Sequence, residues 1–207
     1  MTTNDLESTR DRSRTIGIIG AGNLGQALSR TALRAGWNVV IANSRGPDSL
    51  ASVVATLGAG VSPGTVAEAA AQEIVAIAVP WASVPAAVDG LKWDGQVIID
   101  TTNQWDAAGP NGRTSSEIVA DLVPGARLVK AANTLRAETL AADPQEVGGQ
   151  RVLFLSGDDV GAKAAVTELF EAAGFFAIDV GDLATGRLQQ PKAPLSAHNL
   201  VRLPPVE

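Results

Sequence analysis

Thr15-Ile16-Gly17-Ile18-Ile19-Gly20-Ala21-Gly22-Asn23-Leu24-Gly25 runs from a β-branched apolar segment into a turn punctuated by glycines. Residues 15–20 read as a strand. A helix pattern follows over 22–35, with Gly36 placed to close it. Gly20, Gly22 and Gly25 form G-x-G-x-x-G around Ala21, Asn23 and Leu24. Each glycine has its own task. The first permits a tight turn, the second lets the backbone approach a pyrophosphate, and the third lets helix and strand pack closely. The helix start offers unpaired N–H groups and the positive end of its dipole to phosphates. A second strand pattern follows at 37–42. Strand, glycine turn, helix and strand in that order separate a dinucleotide site from a bare glycine turn.

Outward from this segment, apolar runs alternate with alanine-rich amphipathic stretches. Strands are expected at 59–62, 73–79, 96–100 and 127–132, and helices at 47–57, 63–71, 81–91 and 115–122. Beyond Asp143 come a strand at 151–156, a helix at 160–173 and a strand at 175–180. Several strands are continuous apolar runs, as in a parallel sheet covered on both faces. The expected fold is α/β: a Rossmann-type, doubly wound parallel sheet with right-handed crossovers and a small C-terminal α/β extension. Residues 1–14 are polar and read as a disordered leader, 15–137 as the nucleotide-binding domain, and 138–207 as a small portion packed on the same sheet. The Gly/Pro/Asn-rich stretch 104–114 reads as a lid or a joint.

The end of the second strand bears on which nucleotide binds. An NAD site places Asp or Glu there for the ribose 2′-hydroxyl. This chain has Asn43-Ser44-Arg45. A carboxylate would repel a 2′-phosphate, whereas Asn and Ser donate hydrogen bonds and Arg presents a charged fork. These residues favour NADP(H) over NAD(H).

Composition narrows the chemistry. The chain of 207 residues is 45% hydrophobic with a net charge of −6, enough for a sizeable core and unsuited to nucleic acid. With no cysteine, thiol nucleophiles and thiolate metal sites are excluded. One histidine, His198 near the C-terminus, cannot build a metal site and reads as a loop or surface residue. The apolar run 74–79 is strand-sized and far below the ~20 residues of a membrane span, so a cytoplasmic protein is expected. In open parallel sheets ligands lie beyond the carboxyl ends of the strands. Those ends carry Val79-Pro80-Trp81, Asp100-Thr101-Thr102-Asn103 and Ala132-Asn133-Thr134. Trp81 can face a ring or pack at a helix start. Thr101, Asn103, Asn133 and Thr134 supply neutral hydrogen bonds. Lys130, inside a strand, is a weak candidate acid, and no catalytic side chain is assigned. Carbonyl reduction needs a proton donor, whereas hydride exchange between two redox cofactors needs chiefly alignment.

The sequence resembles the coenzyme F420-dependent NADP oxidoreductases. The resemblance rests on IGIIGAGNLGQAL, NSR after the second strand, AVPW after the fourth, VIIDTTN, KAANT, and further on RVLFLSGDD and GRLQQ. It implies a Rossmann domain, NADP held by Ala21 to Leu24 and by Ser44 and Arg45, and a homodimer. It implies Val79, Asn103 and Ala137 along the nicotinamide, and a second ring, F420 or a flavin, near Trp81 and Asn133. Asn133 and Arg136 stand where archaeal members tend to carry His and Pro. Two other readings are an NADP-binding redox sensor without turnover and an imine or carbonyl reductase.

Overall fold

Strand β1 (Thr15–Ile19) lies inside one sheet, between β2 and β4 on its two sides, with apolar side chains buried on both faces. The computed structural model describes residues 14–105, 112–145 and 148–204. The sheet further comprises β2 (Asn38–Ala42), β3 (Val61–Gly64), β4 (Ile74–Ile77), β5 (Val97–Asp100), β6 (Arg127–Ala131), β7 (Gln150–Gly157), β8 (Phe176–Asp179) and β9 (Val201–Arg202). The order is β3-β2-β1-β4-β5-β6-β7-β8, with β9 paired to β7. Its first six strands are parallel and follow the Rossmann order, so a crevice opens where the order reverses between β1 and β4. Here the expected parallel pattern needs one correction. β7 runs antiparallel to β6, with the five-residue helix α6 (Ala137–Ala141) between them, and β9 runs antiparallel to β7.

Helices cover both faces. Ile16 and Ile18 pack with side chains of α1 (Asn23–Arg34) and α7 (Val160–Ala172), whereas Ile19, Ile77 and Ile98 pack with α3 (Val66–Ala70), α4 (Val84–Val88) and α5 (Ser115–Leu122). Two expected helices are shorter than their sequence patterns. Pro47–Leu50 and Trp81–Ser83 form 3₁₀ turns, and α2 (Ala51–Leu57) and α4 begin only after them. Pro63, expected at a helix start, sits in β3 instead. β3 is an edge strand, where a missing N–H costs no ladder bond. The following helix starts at Thr65, whose hydroxyl accepts from the Glu68 N–H while Glu68 accepts from the Thr65 N–H.

Arg14, assigned to the leader by its polar neighbours, is tied down. Its guanidinium pairs with Glu168 and stands 5.4 Å from the Trp37 ring centroid. Residues 1–13 and 106–111, most of the expected leader and of the 104–114 stretch, lie outside the described residues.

The C-terminal segment returns across β7 and is pinned by Arg151, which is 3% exposed. Its Nε donates to Asn199 Oδ1 at 2.8 Å, and Nη1 donates to the Thr139 and Asp143 carbonyls, each at 3.1 Å. Arg151→Ala removes a charge-assisted set and leaves three acceptors unserved, so stability falls by roughly 2 kcal/mol. Urea unfolding checks this; a midpoint unchanged at constant m-value would contradict it.

Candidate active site

The glycine loop between β1 and α1 shows the three tasks separately. Gly20 has φ +119°, and a Cβ there would stand 2.2 Å from the Ala78 carbonyl oxygen. A Cβ at Gly25 would stand 1.8 Å from the Gly20 oxygen, so helix and strand touch there. At Gly22 a Cβ would meet nothing within 4 Å. Gly22 also has ordinary extended backbone, φ −75° and ψ −172°. Nothing in the protein's own packing requires glycine at that position. The backbone there is open to close approach from outside. A fourth glycine, Gly17, was missed in the motif. Its Cβ would lie 1.9 Å from the Ala69 oxygen, so it seats α3 against β1.

The start of helix α1 is the kind of helix terminus at which anions bind. Gly22 caps it without a side-chain hydrogen bond, and its first turn has no acidic residue. The Gln26 amide donates to the Ala21 carbonyl at 3.0 Å and steadies the loop from the side. The loop is fastened to its neighbours as well. The Gly20 N–H donates to the Ala42 carbonyl at 2.9 Å, and the Ala78 N–H to that of Ile19 at 2.8 Å. Thus the exits of β2 and β4 are held beside the glycine turn.

At the exit of β2, Asn43 frames the loop. Its Oδ1 accepts from the Arg45 N–H at 2.9 Å, and its Nδ2 donates to Ser49 Oγ at 2.9 Å. This turn presents Ser44 and Arg45 to solvent on the far side of the crevice, both exposed.

Beyond β4, Val79 and Trp81 are half-buried against the core of that face. Thr101 is buried, and its hydroxyl donates to the Ile77 carbonyl at 2.8 Å, lacing the exits of β4 and β5 together. Ala137 is the first residue of α6 and packs half-buried beside α1.

Asn133 and Thr134, expected beside a second ring, are buried at 6% and 3% exposure. Asn133 Nδ2 donates to the Gln189 carbonyl at 2.7 Å and to Asn103 Oδ1 at 3.0 Å. Asn103 Nδ2 donates back to the Asn133 carbonyl at 2.9 Å. Gln189, itself fully buried, donates to the Phe154 carbonyl at 3.1 Å and accepts from Ser156 Oγ at 2.8 Å. This clamp fixes where the chain leaves β5 and β6. It leaves Asn133 no open face for a substrate. Only the repeated glutamines of the C-terminal segment hinted at a buried amide there.

Lys130 is also inside. Its ammonium and Asp100 are fully buried, with Nζ 3.4 Å from Asp100 Oδ2 and donating to the Thr102 carbonyl at 2.9 Å. Asp100 further accepts from Ser116 Oγ at 2.6 Å and from the Thr102 hydroxyl at 2.7 Å. Burial pushes the Lys130 ammonium below the ordinary lysine range, and the Asp100 carboxylate pulls it part of the way back. Lys130 therefore braces the sheet behind the crevice and does not reach into it. His198 is exposed in the C-terminal segment. No group of three or more metal-ligating side chains occurs among the described residues, and no helix there is long and apolar enough to cross a membrane.

Comparison with known proteins finds the same fold. A hypothetical protein from Sinorhizobium meliloti has a crystal structure with 40% identity and a TM-score of 0.86, covering 96% of this chain and 100% of its own. A candidate F420-dependent NADP reductase from an Arthrobacter species is 25% identical with a TM-score of 0.70, over 84% of this chain and 87% of its own. Metalloreductase STEAP3 of Rattus norvegicus is 31% identical over 178 residues, 83% of this chain and 35% of that protein. The chain thus spans little more than a third of the curated relatives it matches. The sequence profile of the NADP oxidoreductases described as coenzyme F420-dependent matches residues 15–104. That stretch contains every segment forming the glycine cradle and the loop after β2, and over it the chain is similar to this family.

Proposed function

We propose that the protein is an NADP(H)-dependent oxidoreductase exchanging a hydride with a flavin-like acceptor such as coenzyme F420. The observation that carries this reading is the open backbone at Gly22, placed at an uncapped helix start with Ser44 and Arg45 presented across the crevice. The nicotinamide ring, when bound, supplies or takes the hydride. The protein's residues bind and align. The backbone from Ala21 to Leu24 holds the pyrophosphate, and Ser44 and Arg45 hold the 2′-phosphate. Val79, Asn103 and Ala137 line the nicotinamide side, and Trp81 offers its face to the second ring. Among the described residues no side chain at these exits is assigned as a proton relay: Lys130 is enclosed, and the exposed His198 follows Ala197, whose N–H donates to the Thr134 carbonyl at 3.1 Å. Hydride exchange between two rings tolerates this, with the accompanying proton drawn from solvent. A carbonyl or imine reductase would need a donor beside the hydride.

With saturating NADPH and F420 or FMN varied, His198→Ala keeps kcat/KM within a few-fold of the parent. A general acid or base contributes on the order of 10²–10⁴-fold, so a loss above a hundredfold in a folded variant would return this site to the carbonyl reductases. Tight NADPH binding without turnover on either acceptor would identify a redox sensor.

A further inference from the structure

Phe154 contributes a backbone carbonyl from within β7, and a carbonyl can only accept. It takes an N–H from the side-chain amide of Gln189 at 3.1 Å, so the NH2 group of Gln189 faces it. The oxygen of the same amide is thereby turned to the Ser156 hydroxyl, from which it accepts at 2.8 Å. Gln189 Nε2 also donates to Asn133 Oδ1 at 3.3 Å. That contact orients Asn133 in turn. Its NH2 group donates to the Gln189 backbone carbonyl at 2.7 Å and to Asn103 Oδ1 at 3.0 Å. Asn103 then donates from Nδ2 to the Asn133 backbone carbonyl at 2.9 Å. Three side-chain amides stand in series, and a main-chain acceptor on β7 sets the direction in which the series runs.

Gln189 and Asn133 are buried and spend their N–H donors within the series. Asn103 is half-buried at the exit of β5, and its amide keeps one N–H and one acceptor position. A tie between the C-terminal segment and the sheet requires only burial, and a run of buried amides costs desolvation that apolar packing avoids. What the run adds is orientation. The Asn103 amide cannot turn over without setting N–H against N–H, and oxygen against oxygen, at Asn133. We infer that Gln189 is a positioning residue for the nicotinamide. Acting through Asn133, it holds the Asn103 amide in the one orientation that pairs with a carboxamide, donor to its oxygen and acceptor for its NH2. This rests on the proposed placement of the nicotinamide beside Asn103. A carboxamide held at both ends fixes which face of the ring is presented.

The test is calorimetric titration of the full chain with three ligands. These are NADP+, its 3-acetylpyridine analogue, in which a methyl ketone replaces the carboxamide, and adenosine 2′,5′-bisphosphate, which lacks the nicotinamide half. The parent prefers NADP+ to the analogue. Gln189→Met keeps the bulk of the side chain and removes its donors. NADP+ affinity then falls about tenfold, the size of two neutral hydrogen bonds put out of line. The preference over the analogue disappears, and bisphosphate affinity stays within twofold. In an Asn103→Ala background the same substitution costs less than a further twofold, because its effect passes through Asn103. If Gln189→Met does not fold, Ser156→Ala, which frees one end of the Gln189 amide, shows the same pattern at about threefold. Equal losses for NADP+ and the bisphosphate overturn the inference and leave the series a structural tie. So do additive losses in the double variant, or NADP+ affinity unchanged in a folded Gln189→Met. A parent that binds NADP+ and the bisphosphate equally overturns it while leaving the phosphate cradle in place. A parent that binds neither removes the nucleotide reading itself, and the inference with it.

Discussion

Gly22→Val yields a folded protein that has lost NADP(H) binding, whereas Gly25→Val, three positions on, does not reach the native fold. The two glycines belong to one motif but answer to different neighbours. Valine at 22 keeps an allowed extended backbone, and its Cβ enters space where the protein places nothing within 4 Å. The folding cost is correspondingly small. The branched methyls then stand between the helix start and the pyrophosphate, and the N–H groups of α1 can no longer reach it. At 25 a Cβ lies 1.8 Å from the Gly20 carbonyl oxygen, so α1 must move off β1 before any side chain fits. Circular dichroism melts and calorimetric titration with NADPH separate the cases. Retained NADPH affinity in Gly22→Val would place the phosphates elsewhere, and a stable Gly25→Val would show that the helix is not seated as described.

Arg45→Ala weakens NADP(H) roughly ten- to a hundredfold, the loss expected for a hydrogen-bonded charge facing a phosphate. NAD(H) affinity stays nearly unchanged, because the substitution removes only the partner of the 2′-phosphate. Asn43 supplies the turn that aims Arg45, accepting from its N–H at 2.9 Å, and no acidic residue occupies positions 43–45. The effect also shrinks with added salt, since Arg45 is exposed and its attraction is screened. Calorimetry with both nucleotides gives the ratio directly. Equal losses for NADP(H) and NAD(H) would contradict the assignment of Arg45.

The portion of the fold around β1 and α1 is legible because its signals are local in sequence. The strand is β-branched, the turn is glycine, and Gly36 closes the helix at φ +80°. Pro63 was misread for the opposite reason. Proline suits a helix start and an edge strand equally, and only its place at the sheet margin decides between them. The Thr65–Glu68 spacing was the local signal that the helix begins later. Helix α6 spans five residues, too few for periodicity to register. The clamp lay beyond local reading altogether. Asn133 looks like a free polar residue at a strand end until Gln189 arrives from the C-terminal segment to close over it. Asp100 ends β5 and Lys130 lies within β6, and parallel pairing of the two strands sets them side by side in register. That pairing was available from the fold class, and with it the reason Lys130 serves the sheet and not the reaction.

Direct transfer of hydrogen from the nicotinamide to the acceptor ring is the most immediate test of the proposed reaction. NADPH carrying deuterium on C4, on one face and then on the other, is mixed anaerobically with the protein and F420, whose ring accepts the hydrogen on a carbon that does not exchange with water. Hydride exchange in a fixed alignment predicts deuterium in the reduced acceptor from one face only, with NADP+ formed in equal amount and a slower rate for that isotopomer. Reduced acceptor without deuterium from either face, or no reduction while NADPH remains tightly bound, would contradict the account.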